Sequence, residues 1–82
     1  MPAKRKTKQD RLREAFAVSY KVGKARSGLR DSDVAGILGI TPMTFRKKRN
    51  DPKDLKAGEL ATLAVLMKWD ITEVSRLIEL MQ

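Results

Sequence analysis

Arg46, Lys47, Lys48 and Arg49 form an unbroken run of four cations, and they are the residues whose type and spacing point most directly to chemistry. A basic run on a helix is suited to binding a polyanion. Acid–base and nucleophilic chemistry have few candidates. The chain has no histidine and no cysteine, which removes histidine-based catalysis, ordinary zinc sites and disulfides. Carboxylates occur in pairs, at Asp31 and Asp33 and at Asp51 and Asp54. A nuclease-like or glycosidase-like reaction needs such pairs in a concave site, for which a domain this small offers little room. Their positions suit helix starts and loop charges instead. No glycine-rich phosphate loop, metal-ligand spacing or internal repeat is visible. The expectation is therefore a protein that is not an enzyme, with no catalytic residue, metal, cofactor or small-molecule ligand.

The charge is unevenly placed along the 82 residues, whose net charge is +8. Residues 1–30 carry ten Lys or Arg against Asp10 and Glu14, whereas residues 31–82 carry eight of each sign. Residues 1–8, MPAKRKTK, have no large apolar side chain after Met1 and predict a flexible basic arm bearing Lys4, Arg5, Lys6 and Lys8. Such an arm follows a DNA backbone or enters a minor groove; the other reading is a solvated tail or a localisation signal. The longest apolar run, LAVLM, is far short of a membrane span, and no apolar segment behind the charged amino terminus makes a secretory signal. These features predict a soluble, cytoplasmic protein with no membrane partner.

The elements that must position the basic run lie in DSDVAGILGITPMTFRKK, residues 31–48, which reads as two short helices meeting at a tight turn. Val34, Ala35, Ile37 and Leu38 follow helical spacing after an acidic start, and Gly39 closes that helix. Ile40 plugs the turn. Thr41 is a favoured N-cap and Pro42 a favoured first helical residue, so the second helix begins at Pro42, with Phe45 pointing inward. A first helix is predicted from Gln9 to about Ala25, with Leu12, Ala15, Phe16, Ser19, Tyr20 and Gly23 on its packing face, Val18 and Val22 beside it, and the Tyr20 hydroxyl reaching solvent. The segment NDPK, residues 50–53, is a loop. Leu55 pins it. A fourth helix is predicted over 56–68, burying Leu60, Leu63, Ala64 and Met67, and Trp69 is assigned to the core. Asp70 and Glu73 form a capping-box pattern for a fifth helix from Ile71 to about Leu80, with Ile71, Val74, Leu77 and Ile78 as its apolar set.

The run GLRDSDVAGILGITPMTFRKKRN is similar to the phage lambda-repressor/Cro-like helix-turn-helix family, with Ala35, Gly39, Ile40 and Phe45 in the places of its recurring small, glycine and apolar residues. The similarity continues into ATLAVLMKWDITEVSRLI and covers roughly residues 20–78. The resemblance implies an all-α, compact five-helix domain over residues 9–82, with the helix-turn-helix at helices 2 and 3. It implies insertion of helix 42–49 into the major groove, with Met43, Thr44, Arg46 and Lys47 against base edges. Lys24, Thr41, Arg49, Asn50 and Lys53 are the expected phosphate contacts. Three positions depart from the family pattern. Asp31 stands where relatives often present a neutral residue to a phosphate, Lys48 replaces a commonly apolar residue, and Arg49 a commonly acidic one. The last change removes an expected ion pair with Lys24 and leaves two cations near each other.

The function implied is sequence-specific double-stranded DNA binding by a transcriptional regulator of repressor/Cro type. The alternative of another class is nonspecific or architectural DNA binding, or protein interaction, on the same fold. Ile78, Leu80 and Met81 exceed what one packing face needs and mark the carboxyl-terminal helix as the candidate homodimer surface; a fraying helix end gives the same pattern.

Overall fold

The longest helix, α1 (Lys8–Ser27), is the spine on which the other elements lean in the computed structural model, which describes residues 7–82. Lys4, Arg5 and Lys6 of the expected arm lie outside the described residues. After α1 come α2 (Asp31–Leu38), α3 (Pro42–Asn50), a 3₁₀ turn at Pro52–Asp54, α4 (Ala57–Leu66) and α5 (Ile71–Met81). The described residues are thus all-helical, with five α-helices and no strand, packed as one compact body. None of these helices is long and apolar enough to cross a membrane.

The start of α1 corrects the expected arm boundary. Thr7 is its N-cap: the Asp10 N–H donates to the Thr7 hydroxyl at 3.2 Å, and the Thr7 N–H donates back to the Asp10 carboxylate at 3.2 Å. This reciprocal bonding satisfies two backbone donors that a helix start otherwise leaves unpaired. Lys8 is therefore the first helical residue, and its amine donates to the backbone carbonyl of Gln82 at the end of α5. At the other end α1 runs on to Ser27, where Gly28 takes the left-handed conformation, φ 70°, that closes it.

The buried face of α1 is Leu12, Phe16, Tyr20 and Gly23, at successive turns. Phe16 and Tyr20 lie parallel with centroids 6.1 Å apart; Trp69 meets Phe16 edge-on at 5.8 Å, and Phe45 meets Tyr20 edge-on at 5.7 Å. Such edge-to-face and offset contacts each add about 0.5–1.5 kcal/mol beyond area burial. Trp69 is in the core, and its indole N–H donates to the Ser19 carbonyl at 2.8 Å, fastening the α4–α5 junction to α1. Leu60 and Leu63 fill the core from α4, Met67 from the cap that follows it, Leu77 from α5, and Leu55 from the loop before α4.

Two further boundaries differ from expectation. Helix α4 starts one residue later, because the Glu59 carboxylate accepts from the Lys56 N–H at 2.9 Å and makes Lys56 its cap. It also stops at Leu66: Met67 caps the helix, its N–H still donating to the Leu63 carbonyl, and Lys68 then adopts a left-handed φ of 56°. Ile71 does not join the apolar face of α5. It is the first residue after the Asp70 cap and is 79% exposed, while Val74 and Leu77 supply the packing.

Gly23 is where α1 comes closest to a neighbour. A methyl group there would sit 2.8 Å from the Met67 carbonyl oxygen and 3.0 Å from its Cα, so backbone must move to admit it. Gly23→Ala is expected to destabilise the fold by about 1–3 kcal/mol. Gly36 lies inside α2 with open space around it, and Gly36→Ala is expected to stabilise by about 0.5–1 kcal/mol through the helix-propensity difference. Urea denaturation of the two variants, followed by circular dichroism, measures both signs.

Candidate nucleic-acid interface

Local signals set the entry into α3. Gly39 takes a left-handed φ of 75° at the end of α2, and the Ile40 N–H returns to the Ala35 carbonyl at 3.0 Å, which reverses the chain within three residues. The Thr41 hydroxyl then accepts from the Thr44 N–H at 3.2 Å, and Pro42 occupies the first turn, where a backbone N–H is not needed. With Phe45 buried, the 100° step of a helix turns Met43, Arg46 and Lys47 outward. Met43 is 70% exposed, and Arg46 and Lys47 are exposed with no ion-pair partner among the described residues.

The basic run is divided by this rotation. Lys48 faces α4 and donates to both oxygens of Glu59 at 2.7 and 2.8 Å, the two side chains being only 16% and 12% exposed. Burial alone would raise the pKa of Glu59, but the hydrogen bond from Lys48, joined by the Lys56 N–H, outweighs it and holds the carboxyl below its ordinary value. Arg49 turns to the other flank, where its guanidinium donates to the second oxygen of Asp31 at 2.9 Å and lies 4.6 Å from the centroid of the Tyr20 ring.

Asp31 is the centre of that flank. Its first oxygen accepts from the Tyr20 hydroxyl at 2.6 Å and pairs with the Lys24 amine at 3.0 Å. The pair with Lys24 that the Arg49 position seemed to forfeit is thus made from α2, and Asp31 separates the two cations that were expected to crowd each other. Tyr20 does not send its hydroxyl to solvent. The hydrogen bond from Tyr20 lowers the pKa of Asp31, and Lys24 and Arg49 add to this against the opposing effect of burial. Burial, with the Asp31 contact, pushes the Tyr20 phenol far above its ordinary range.

Asp31, Arg49, Arg46, Met43, Pro42 and Phe45 line one shallow groove of about 500 Å³ along the front of α3. Of the other expected contacts, Thr44 is half-buried with its hydroxyl 2.9 Å from that of Thr41, and Asn50 is exposed while its carbonyl accepts from the Arg13 guanidinium at 2.8 Å. Lys53 is exposed beside Asp51 at 3.9 Å. Thus Met43, Arg46 and Lys47 share one outer face, whereas Lys24 and Arg49 meet at Asp31. Sequence reading missed Asp31 and Glu59 as partners; the only signal for Glu59 was its place three residues after the cap of α4. At the carboxyl end Ile78 is 41% exposed, but Leu80 and Met81 pack partly on the core. Comparisons with protein-family models, with curated proteins and with solved structures find no significant match.

The partly buried pair gives a stability test. Lys48→Ala leaves the Glu59 carboxylate without its main partner and is expected to destabilise by about 2 kcal/mol, while Arg46→Ala and Lys47→Ala stay within about 0.5 kcal/mol. Because the folded-state pKa values of Glu59 and Asp31 are depressed, their contribution is present above the ordinary values of 4.5 and 3.8 and is lost as pH falls through the lower folded values. Thermal melts from pH 6 to pH 3 should show the wild type losing stability on acidification, and Glu59→Gln flattening part of that loss.

Proposed function

We propose that this chain is a sequence-specific double-stranded DNA-binding protein of the lambda-repressor/Cro-like helix-turn-helix type, acting as a transcriptional regulator by occupying an operator. The observation that carries the reading is the outer face of α3. Met43, Arg46 and Lys47 project together from a short helix whose remaining cations, Lys48 and Arg49, are held by Glu59 and Asp31. A helix of this diameter fits a major groove, where an arginine pairs bidentately with guanine and an apolar side chain packs on a thymine methyl. Arg46 takes the first role and Met43 the second. Lys47 and Thr44 flank them. Thr41 and Asn50, at the two ends of α3, and Lys53, in the 3₁₀ turn that follows, are the phosphate contacts. Lys4, Arg5 and Lys6 of the amino-terminal segment add charge toward the backbone. Ile78, beside an apolar groove between α4 and α5, is the surface for pairing two copies on two half-sites, and the site of action is the cytoplasm.

A second reading, nonspecific or architectural binding, is favoured by the net charge excess, which lies in residues 1–30 while residues 31–82 sum to zero. Selection of bound duplexes from a random pool, repeated with Arg46→Ala, separates the two. The regulator reading predicts a recovered motif, one position of which Arg46→Ala relaxes at a loss of about 1–3 kcal/mol of base discrimination. Absence of any motif, with binding that depends on salt alone, contradicts it and leaves the architectural reading.

A further inference from the structure

We propose that Asp31 limits the grip of this protein on the DNA backbone by holding Lys24 and Arg49 away from the phosphates, so that discrimination falls to Met43, Arg46 and Lys47. The inference rests on the DNA-binding reading above and assigns a determinant of backbone affinity within the same surface.

Three observations combine. The carboxylate is fixed: the Tyr20 hydroxyl holds one oxygen at 2.6 Å from the core side, so Asp31 is anchored against swinging aside when a duplex approaches. Both cations are engaged by that one group, Lys24 at 3.0 Å and Arg49 at 2.9 Å, and Arg49 is further braced over the Tyr20 ring. Yet neither is buried; the Lys24 and Arg49 side chains remain 40% and 34% exposed, and Arg49 lines the same groove as Met43 and Arg46. Without Asp31 both would be open to a phosphate. With it, the trio presents one positive charge in place of two, and a carboxylate faces the approaching backbone.

The consequence follows from how the two kinds of binding scale. Nonspecific affinity is the sum of phosphate neutralisation by cations, and each phosphate neutralised steepens the salt dependence by about 0.9. Base contacts are unaffected by that sum. Withholding two cations therefore weakens binding to random and matched sequence alike, and leaves a larger share of the affinity for a matched site to the base contacts.

Asp31→Asn tests this, because asparagine keeps an oxygen to accept from Tyr20 while removing the charge. Binding of the full chain to a labelled random-sequence duplex is titrated across salt concentration, with circular dichroism melts alongside. The expected result for Asp31→Asn is nonspecific affinity raised about fivefold or more near 0.1 M salt, and a log–log salt slope steeper by about one to two. Lys24→Gln is expected to change wild-type affinity by less than about twofold but to remove about half of the logarithmic gain in the Asp31→Asn background. A merely structural Asp31 would move the melt and leave the salt slope unchanged, which overturns the proposal. Equal weakening by Lys24→Gln in both backgrounds also overturns it. Should Asp31→Asn fail to fold, Lys24→Gln alone decides: a loss beyond about threefold shows that Lys24 already meets phosphate in the wild type. Wild-type protein that binds no duplex at any salt instead refutes the DNA-binding reading itself.

Discussion

A nine-residue helix with four adjacent cations and only one buried side chain cannot stand alone, and the orientation of α3 depends on how that is overcome. Helices this short are marginal in isolation, and neighbouring like charges oppose one another. Three contacts hold it. Phe45 is inserted edge-on against Tyr20, Lys48 is paired to α4 through Glu59, and Arg49 is paired to α2 through Asp31. These lie on the inner side and both flanks, so they fix the rotation of the helix about its own axis as well as its position. The rotation leaves Met43, Arg46 and Lys47 outward.

Behind α3 the structure is braced through α1. The Phe16–Tyr20 face receives Phe45 from one side and Trp69 from the other, and Gly23 permits the Met67 backbone to lie directly on the helix. Tyr20 therefore joins two layers of the molecule: its ring belongs to the core and its hydroxyl to the surface cluster around Asp31. The Lys48–Glu59 pair adds orientation more than net stability, since desolvating two charges offsets much of their attraction. It ties α3 to α4 through both oxygens of Glu59.

What was legible in the sequence was what is decided locally. Gly39, Thr41 and Pro42 each act through their own backbone or cap geometry, and the α2–turn–α3 boundaries follow from them. The periodicity of Leu12, Phe16, Tyr20 and Gly23 likewise exposes one core face without any knowledge of its partner. The start of α1 is also written locally, since Thr7 followed by Asp10 is a reciprocal cap, although the basic composition around it favours an arm reaching as far as Lys8. Ile71 misled because an apolar residue just after a cap need not face inward. The fate of Arg49 and Lys48 was not legible. Each finds its carboxylate across a tertiary distance, Asp31 eighteen residues away and Glu59 eleven, and no spacing rule connects them.

The central proposal is that the outer face of α3 is the part of the molecule that meets DNA. Titration of the ¹⁵N-labelled chain with a short duplex, followed by amide chemical shifts, tests it most directly. The account predicts that the largest changes fall on Met43, Thr44, Arg46, Lys47 and the turn before them, with α5 little affected. Changes centred on α5 or on the exposed face of α1, with α3 silent, would contradict it.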